Sequence, residues 1–298
     1  MMQQFLDFLW TFFYGVIEGI TEWLPVSSTG HLIIFESFTK PSFSEAFLEM
    51  FRVVIQLGAI LAVVVLFWNK IWPFHTSKKL DTYQYKNLNG AKKIAQKYIY
   101  MDKIILWLKI AVACLPAIII GLPFDDILDT YLYNAYVVAA TLIIYGILFI
   151  VIEKWRKGKP SKVSVLNEIS FKMAALIGAF QVLSMIPGTS RSGSTILGAM
   201  ILCCSRTAAA EFSFLLGIPV MFGASGLKAV KFFIDGNTVT THEAMILVFG
   251  MIVAFVVSML SIKFLMNFVK KHDFKCFGYY RIVLGVILLL LGVFTTVL

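Results

Sequence analysis

FLDFLWTFFYGVIEGITEWLPVSSTGHLIIFE, residues 5–36, is apolar enough to lie in a bilayer yet is broken by a polar, proline-containing stretch, LPVSSTGH at 24–31. A second segment, FKMAALIGAFQVLSMIPGTSRSGSTILGAMILCC at 171–204, repeats the pattern with IPGTSRSGST at 186–195. Each is about long enough to enter the membrane and turn back. Helix breaks at membrane depth are tolerated where the backbone faces protein or a water-filled cavity. Both segments are therefore read as re-entrant hairpins.

The rest of the chain supplies the membrane frame. Of 298 residues, 59% are hydrophobic and 14% charged, a balance that excludes an ordinary soluble globule. A spanning helix needs about 20 mostly apolar residues, and uninterrupted runs near 46–68, 103–122, 134–153, 208–230, 243–268 and 279–298 meet that length. They are too long and too uniformly apolar for barrel strands. The expected fold is an all-α polytopic membrane protein: six transmembrane helices plus two re-entrant helix hairpins in one integral domain spanning 1–298. MMQQFLDFLW lacks the basic start and small-residue cleavage pattern of a signal peptide, so the N-terminus is expected to be retained. Cys114, Cys203, Cys204 and Cys276 show no metal-ligand spacing and are expected as free thiols.

The net charge of +9 reflects topology rather than nucleic-acid binding. Lysines crowd the 69–103 segment, from Lys70 to Lys103, and Lys154, Arg156, Lys157, Lys159, Lys162 and Lys172 mark the 154–172 segment. Both belong in the cytoplasm, as does the cluster of Lys263, Lys270, Lys271 and Lys275. The intervening loop at 123–134 carries Asp125, Asp126 and Asp129 without a basic residue and is expected outside. Six crossings then require that neither hairpin cross, that the hairpins enter from opposite sides, and that both termini lie outside. A shift of 163 places Gly15 on Gly178, Glu18 on Gln181, Ser27 on Ser190 and Gly30 on Gly193. This is the pattern of an inverted-topology repeat, the first copy about 1–122 and the second about 171–268, with broken elements meeting near the midplane.

Charges in the breaks point to chemistry. Glu18 and Glu22 are spaced to share a helix face, and Glu18 lies about 20 Å along the helix from Phe5. An ionisable group that deep is costly unless paired or wet. Two carboxylates on one face suit a divalent cation, Mg2+ or Ca2+. Ser27, Ser28, Thr29, Gly30 and His31 follow, where a restarting helix offers free N–H groups to a phosphate. His31 is the one histidine of four placed within a membrane segment, suited to act as a base or nucleophile. His75, His242 and His272 fall in or near loops and are expected to be solvated. Arg191 in PGTSRSGST has no neighbouring carboxylate and must meet an anion from elsewhere: Glu18, Glu22 or a phosphorylated ligand. Gly188 and Gly193 permit close backbone approach.

EGITEWLPVSSTGH (18–31) and PGTSRSGST (187–195) resemble the two signature motifs of the undecaprenyl-diphosphatase family, the bacitracin-resistance proteins, and the run FRVVIQLGAILAVVV at 51–65 and the final spans are similar as well. The resemblance implies hydrolysis of undecaprenyl diphosphate to undecaprenyl phosphate and inorganic phosphate in the bacterial cell membrane, at a site opening to the extracytoplasmic side. It implies metal or substrate roles for Glu18 and Glu22, phosphate or nucleophilic roles for Ser27 and Ser28, a base or nucleophile in His31, and diphosphate binding by Ser190 and Arg191. Thr29, Gly30, Gly188, Thr189, Ser192 and Gly193 complete the expected substrate cradle. Expected partners are the polyprenyl diphosphate lipid and the bilayer, with a homodimer allowed for. Arg52 stands where family sequences often carry an acid, and no catalytic role is expected there. The unrelated membrane lipid-phosphatase pattern, SR-x5-H-x3-D, is not met, since Leu197 occupies its histidine position. The competing reading is a secondary transporter or flippase of a polyprenyl phosphate, for which broken inverted repeats are the usual architecture. A serine and histidine beside paired carboxylates are more than transport requires.

Overall fold

A computed structural model describes the backbone of residues 2–39, 41–74 and 99–294. His75, the Lys-rich stretch to Lys97 and residues 295–298 lie outside it, as do the side chains of Asp125, Asp126 and Asp129. The described chain is helical: α1 (Met2–Thr21), α2 (Ser28–Phe38), α3 (Glu45–Val54), α4 (Gln56–Leu66), α5 (Trp68–Ile71), α6 (Met101–Leu132), α7 (Ala135–Arg156), α8 (Phe171–Val182), α9 (Arg191–Ile201), α10 (Arg206–Ile234), α11 (Thr241–Phe268) and α12 (Lys275–Phe294). Among the described residues, six helical stretches are long and apolar enough to cross a membrane: Glu45–Leu66, Met101–Gly121, Ala135–Arg156, Arg206–Ile234, Thr241–Phe268 and Lys275–Gly292. The protein is thus an all-α, multi-pass membrane protein.

Local chemistry sets the helix starts. Ser44, Asn134, Ser170, Ser205 and Thr240 each accept a backbone N–H from the first turn of the following helix, satisfying donors that have no intrahelical partner. Three boundaries differ from the sequence reading. The 123–134 segment is not a loop until after Leu132, because α6 continues through Pro116 and Pro123. The first crossing is interrupted at Ile55, between α3 and α4. The last helix begins at Lys275, four residues earlier than the apolar run.

The helices pack in exchanged pairs. The broken helix α1 lies along α11, with Gly15 against Val253, while the other broken helix, α8, lies along α6, with Gly178 against the Ala113 backbone. α7 and α12 pair with each other, Gly146 meeting Gly278. The two breaks also match locally. Ser27 and Ser190 both have positive φ, 72° and 71°, and each is followed at once by an 11-residue helix. Apolar side chains from α4, α6, α9 and α10 fill the main core around these breaks, including Trp23 edge-on to Phe214 at 5.3 Å.

Tight backbone contact makes a testable demand. A Cβ added at Gly178 would strike the Ala113 backbone, and one at Gly58 the Met251 backbone, whereas Gly223 and Gly226 face open space. Gly178→Ala and Gly58→Ala are each expected to destabilise the protein by about 1–3 kcal/mol through overpacking. Gly223→Ala and Gly226→Ala are expected to be neutral or mildly stabilising. Thermal unfolding in detergent measures the difference, and equal melting temperatures for the two sets would refute this packing.

Candidate active site

Proline and a strained serine end each broken helix. After Thr21 the chain runs through Pro25, which lacks an N–H and cannot continue the helix, and reaches Ser27 at φ 72° before α2 starts. In the second break, Pro187, Gly188 at φ 85° and Ser190 at φ 71° precede α9. Positive φ in a non-glycine residue costs on the order of 1–3 kcal/mol and persists only where the surroundings impose it. The capping differs between the two. Ser190 Oγ accepts the Gly193 N–H at 3.1 Å, closing the start of α9. Ser27 makes no such bond, and its buried hydroxyl has no protein partner.

The two breaks meet. Arg191 donates from Nε and Nη2 to Glu22 Oε1 at 3.3 and 2.9 Å, and from Nη1 to the Ser213 carbonyl at 2.8 Å. Its guanidinium also lies over the Trp23 ring, 5.6 Å from the centroid. Ser192 Oγ donates to the Glu22 carbonyl at 3.0 Å, a second tie between the motifs. Both charged side chains are about nine-tenths buried, at 11% and 10% exposure. Removing one partner from such a pair costs about 3–5 kcal/mol, because a charge is left unpaired in an apolar medium. Of the two carboxylates open to Arg191 in the sequence, Glu22 is the one it pairs with.

Arg281, which the sequence reading did not single out, completes the junction. It is fully buried and donates from Nη1 to the Pro25 carbonyl at 3.2 Å and from Nη2 to the carbonyls of Gly188 and Thr189 at 2.8 and 3.0 Å. One guanidinium thus holds the backbone of both breaks. Its charge lies over the Tyr145 ring, 5.5 Å from the centroid, and no carboxylate takes it up among the described residues. Gly193 makes room for it: a Cβ there would stand 3.2 Å from Arg281 Nη1. The approach that Gly188 permits is to Val138 and Thr141 of α7, and Thr141 Oγ1 reaches the Pro187 carbonyl at 2.7 Å. The sequence signal for Arg281 is a lone arginine within the apolar run 279–298.

His31 has both ring nitrogens engaged. Nδ1 lies 2.7 Å from the Ser27 carbonyl and Nε2 lies 2.7 Å from the Tyr280 hydroxyl. A carbonyl only accepts, so Nδ1 carries the proton; in the neutral ring Nε2 then holds the lone pair and accepts from Tyr280. Ser28 and Thr29 open α2, half-buried, and among the described residues no hydrogen bond joins Ser28 to His31. Gly30 packs against Leu142 of α7. His242, expected in solvent, instead bonds Asp7 Oδ2 at 3.0 Å, and Asp7 also holds Ser42. Arg52 pairs with Glu36 through two bonds of 2.9 and 2.7 Å, a structural role that fits the absence of an acid there.

Polar atoms without protein partners concentrate here. Among the described residues, every buried side-chain polar atom lacking a hydrogen bond lies on α1, on α8, in the two breaks or on Arg281. Both carboxylate oxygens of Glu18 are among them, with those of Ser27, Thr189 and Gln181. Glu18 is fully buried one turn before Glu22, whose N–H bonds its carbonyl at 3.0 Å. Arg191 occupies only Oε1 of Glu22. No three His, Cys, Asp or Glu converge on a metal position among the described residues. Two carboxylates fit the habit of Mg2+, which takes one or two and completes its shell with water and phosphate oxygens.

Residues 11–287 match the model of a family described as bacitracin resistance protein BacA. An undecaprenyl-diphosphatase of Enterococcus faecalis is 53% identical over 291 residues, covering 98% of this chain and 99% of its own. One of Acetivibrio thermocellus is 53% identical over 285 residues, 96% and 97% of the two chains. A third, from Streptococcus thermophilus, is 50% identical over 290 residues, 97% and 95%.

If Arg281 fastens the two breaks, Arg281→Met strands three buried carbonyls at a cost of about 1–3 kcal/mol each. The melting temperature in detergent is expected to fall by several degrees, with partial recovery in Arg281→Lys. An unchanged melting temperature in Arg281→Met would sink the fastening role.

Proposed function

The chain belongs to the bacitracin resistance protein BacA family, and from that premise we propose how its two breaks carry out the reaction. It is an undecaprenyl-diphosphatase: it hydrolyses undecaprenyl diphosphate to undecaprenyl phosphate and inorganic phosphate, recycling the lipid carrier of cell-wall synthesis and giving bacitracin resistance. The observation that carries the mechanism is the junction of Glu22 with Arg191, which fixes a guanidinium between the two breaks that also hold the unpartnered hydroxyls of Ser27 and Thr189.

In this reading α1–α2 and α8–α9 are re-entrant hairpins of an inverted repeat, supported by the shared serine geometry and by the exchange of α1 and α8 between halves. The lipid tail lies among the helices and the diphosphate enters between the breaks. Phosphoryl transfer needs mainly positioning and charge stabilisation on the equatorial oxygens. Arg191, held by Glu22 and the Ser213 carbonyl, offers planar donors suited to phosphate. The uncapped N-terminus of α2 presents N–H groups from Ser28, Thr29 and Gly30 beside the Ser27 hydroxyl. At α9 the cradle is Thr189, Ser190, Ser192 and Gly193 around Gly188.

His31 Nε2 supplies the base. As Tyr280 yields its hydrogen bond, the lone pair accepts a proton from water or from Ser28, whose oxygen bonds the terminal phosphorus. The bridging P–O bond breaks, and undecaprenyl phosphate leaves with its electron pair. Where Ser28 attacks, a water deprotonated by His31 then cleaves the phosphoserine ester, releasing inorganic phosphate and returning the proton to Ser28. A divalent cation, Mg2+ or Ca2+, held by Glu18 and Glu22 would neutralise charge on the phosphate oxygens. The basic residues Lys157, Lys159 and Lys270 lie at the far end of α9 from Arg191, which supports a site opening on the extracytoplasmic side.

Transport of a polyprenyl phosphate would need a gradient or a second compartment; hydrolysis needs neither. Purified protein in detergent is expected to release phosphate from undecaprenyl diphosphate, and Arg191→Ala or His31→Ala to lower kcat/KM by about 100-fold or more. A chelator should stop the release and added Mg2+ restore it. Near-normal release by either folded variant would overturn these roles, and indifference to chelator would remove the cation.

A further inference from the structure

A polar cleft of about 450 Å3 lies where α7, α9, α10 and α11 end or begin, lined by Glu153, Arg156, Lys157, Lys159, Arg206 and Lys270 together with hydroxyls of Ser161, Ser205 and Thr207. It is separated from Arg191 by the length of α9, whose 11 residues span about 16 Å. Its single carboxylate is already saturated. Glu153 accepts Arg206 Nε and Nη2 at 2.8 and 2.6 Å and the Phe274 N–H at 2.9 Å. The other acid nearby, Asp273, is taken by Lys275 at 2.8 Å. Among the described residues Arg156 is held only by the Pro160 carbonyl and the Ser161 hydroxyl, each at 3.4 Å, and Lys159 lies 4.3 Å over the Trp155 ring. Among the described residues no ion pair takes up Arg156, Lys157, Lys159 or Lys270.

Four uncompensated cations around a concave surface demand an anion with several acceptor oxygens. The neighbouring surface says which kind. Lys270 also lines an adjoining groove of about 420 Å3 formed with Phe264, Phe268 and His272, and Phe264 is 55% exposed on the apolar flank of α11. A ligand with phosphate at Lys270 and a hydrocarbon chain along Phe264 matches both parts. Basic pockets between membrane helices hold anionic headgroups in this manner.

We infer that this cleft is a binding site for an anionic phospholipid of the surrounding leaflet, its phosphate among Arg156, Lys157, Lys159 and Lys270 and an acyl chain along Phe264 and Phe268. The site is distinct from the diphosphate site, although α7, α9 and α10 each reach both.

Native mass spectrometry of the purified protein with an equal mixture of phosphatidylglycerol and phosphatidylcholine tests it. The wild type is expected to retain phosphatidylglycerol preferentially. Lys157→Gln, Lys159→Gln and Lys270→Gln together are expected to weaken retention on the order of a hundredfold, and Lys157→Gln alone about fivefold. These side chains are exposed, so the variants should fold, and phosphate release from undecaprenyl diphosphate should be unchanged. Millimolar inorganic phosphate should not displace the lipid. Equal phosphatidylglycerol retention by wild type and triple variant, or equal retention of phosphatidylcholine, overturns the site. Displacement by inorganic phosphate overturns the lipid assignment in favour of a soluble anion.

Discussion

A chain can stop being helical inside a membrane only if something else satisfies its backbone, and in this protein much of that duty falls on the Arg281 guanidinium. Water is not available in lipid to accept or donate at Pro25, Gly188 and Thr189, and each stranded carbonyl there would cost on the order of kcal/mol. Because one side chain bonds carbonyls from both breaks, the two breaks are tied at a common point. The same junction holds the meeting of Glu22 with Arg191, the room that Gly193 leaves for Arg281 and the strained turns at Ser27 and Ser190.

That arrangement also resolves an electrostatic problem. Glu18, Glu22, Arg191 and Arg281 would each be prohibitive alone in hydrocarbon. Brought together they leave one ion pair, one cation served by carbonyl dipoles and one carboxylate without a protein partner. Such a collection is poor as a packing device, since an apolar core of equal volume would be at least as stable. It is well suited to an anionic substrate, which brings its own negative charge and oxygen acceptors to groups already fixed in place. Preorganisation of this kind is what lowers a phosphoryl-transfer barrier.

Much of this was legible in the sequence because hydropathy and breakers are local signals. Six spans and two interrupted segments follow from runs of apolar residues and from where Pro, Gly and Ser fall, and Glu22 of the first motif meets Arg191 and Ser192 of the second. What stayed hidden depends on pairings far apart in the chain. Nothing in the sequence distinguished Glu22 from Glu18 as the partner of Arg191, since both share a helix face; only the path of the first break decides it. Tyr280 is an interfacial aromatic until α2 places His31 beside it. Arg281 carried no local signal of its role, since the carbonyls it bonds belong to Pro25, Gly188 and Thr189, far off in the chain. His242 lost its solvated appearance through Asp7, 235 positions away.

The central claim is that the two breaks form one phosphoryl-transfer site through Glu22 and Arg191. A double-mutant cycle on phosphate release tests it most directly, using Glu22→Gln, Arg191→Lys and the pair. If the groups act as a unit, the double variant should lose little more kcat/KM than the worse single variant, giving a coupling energy of about 1–3 kcal/mol. Strictly additive losses would mean that the two residues act independently, and would contradict the account.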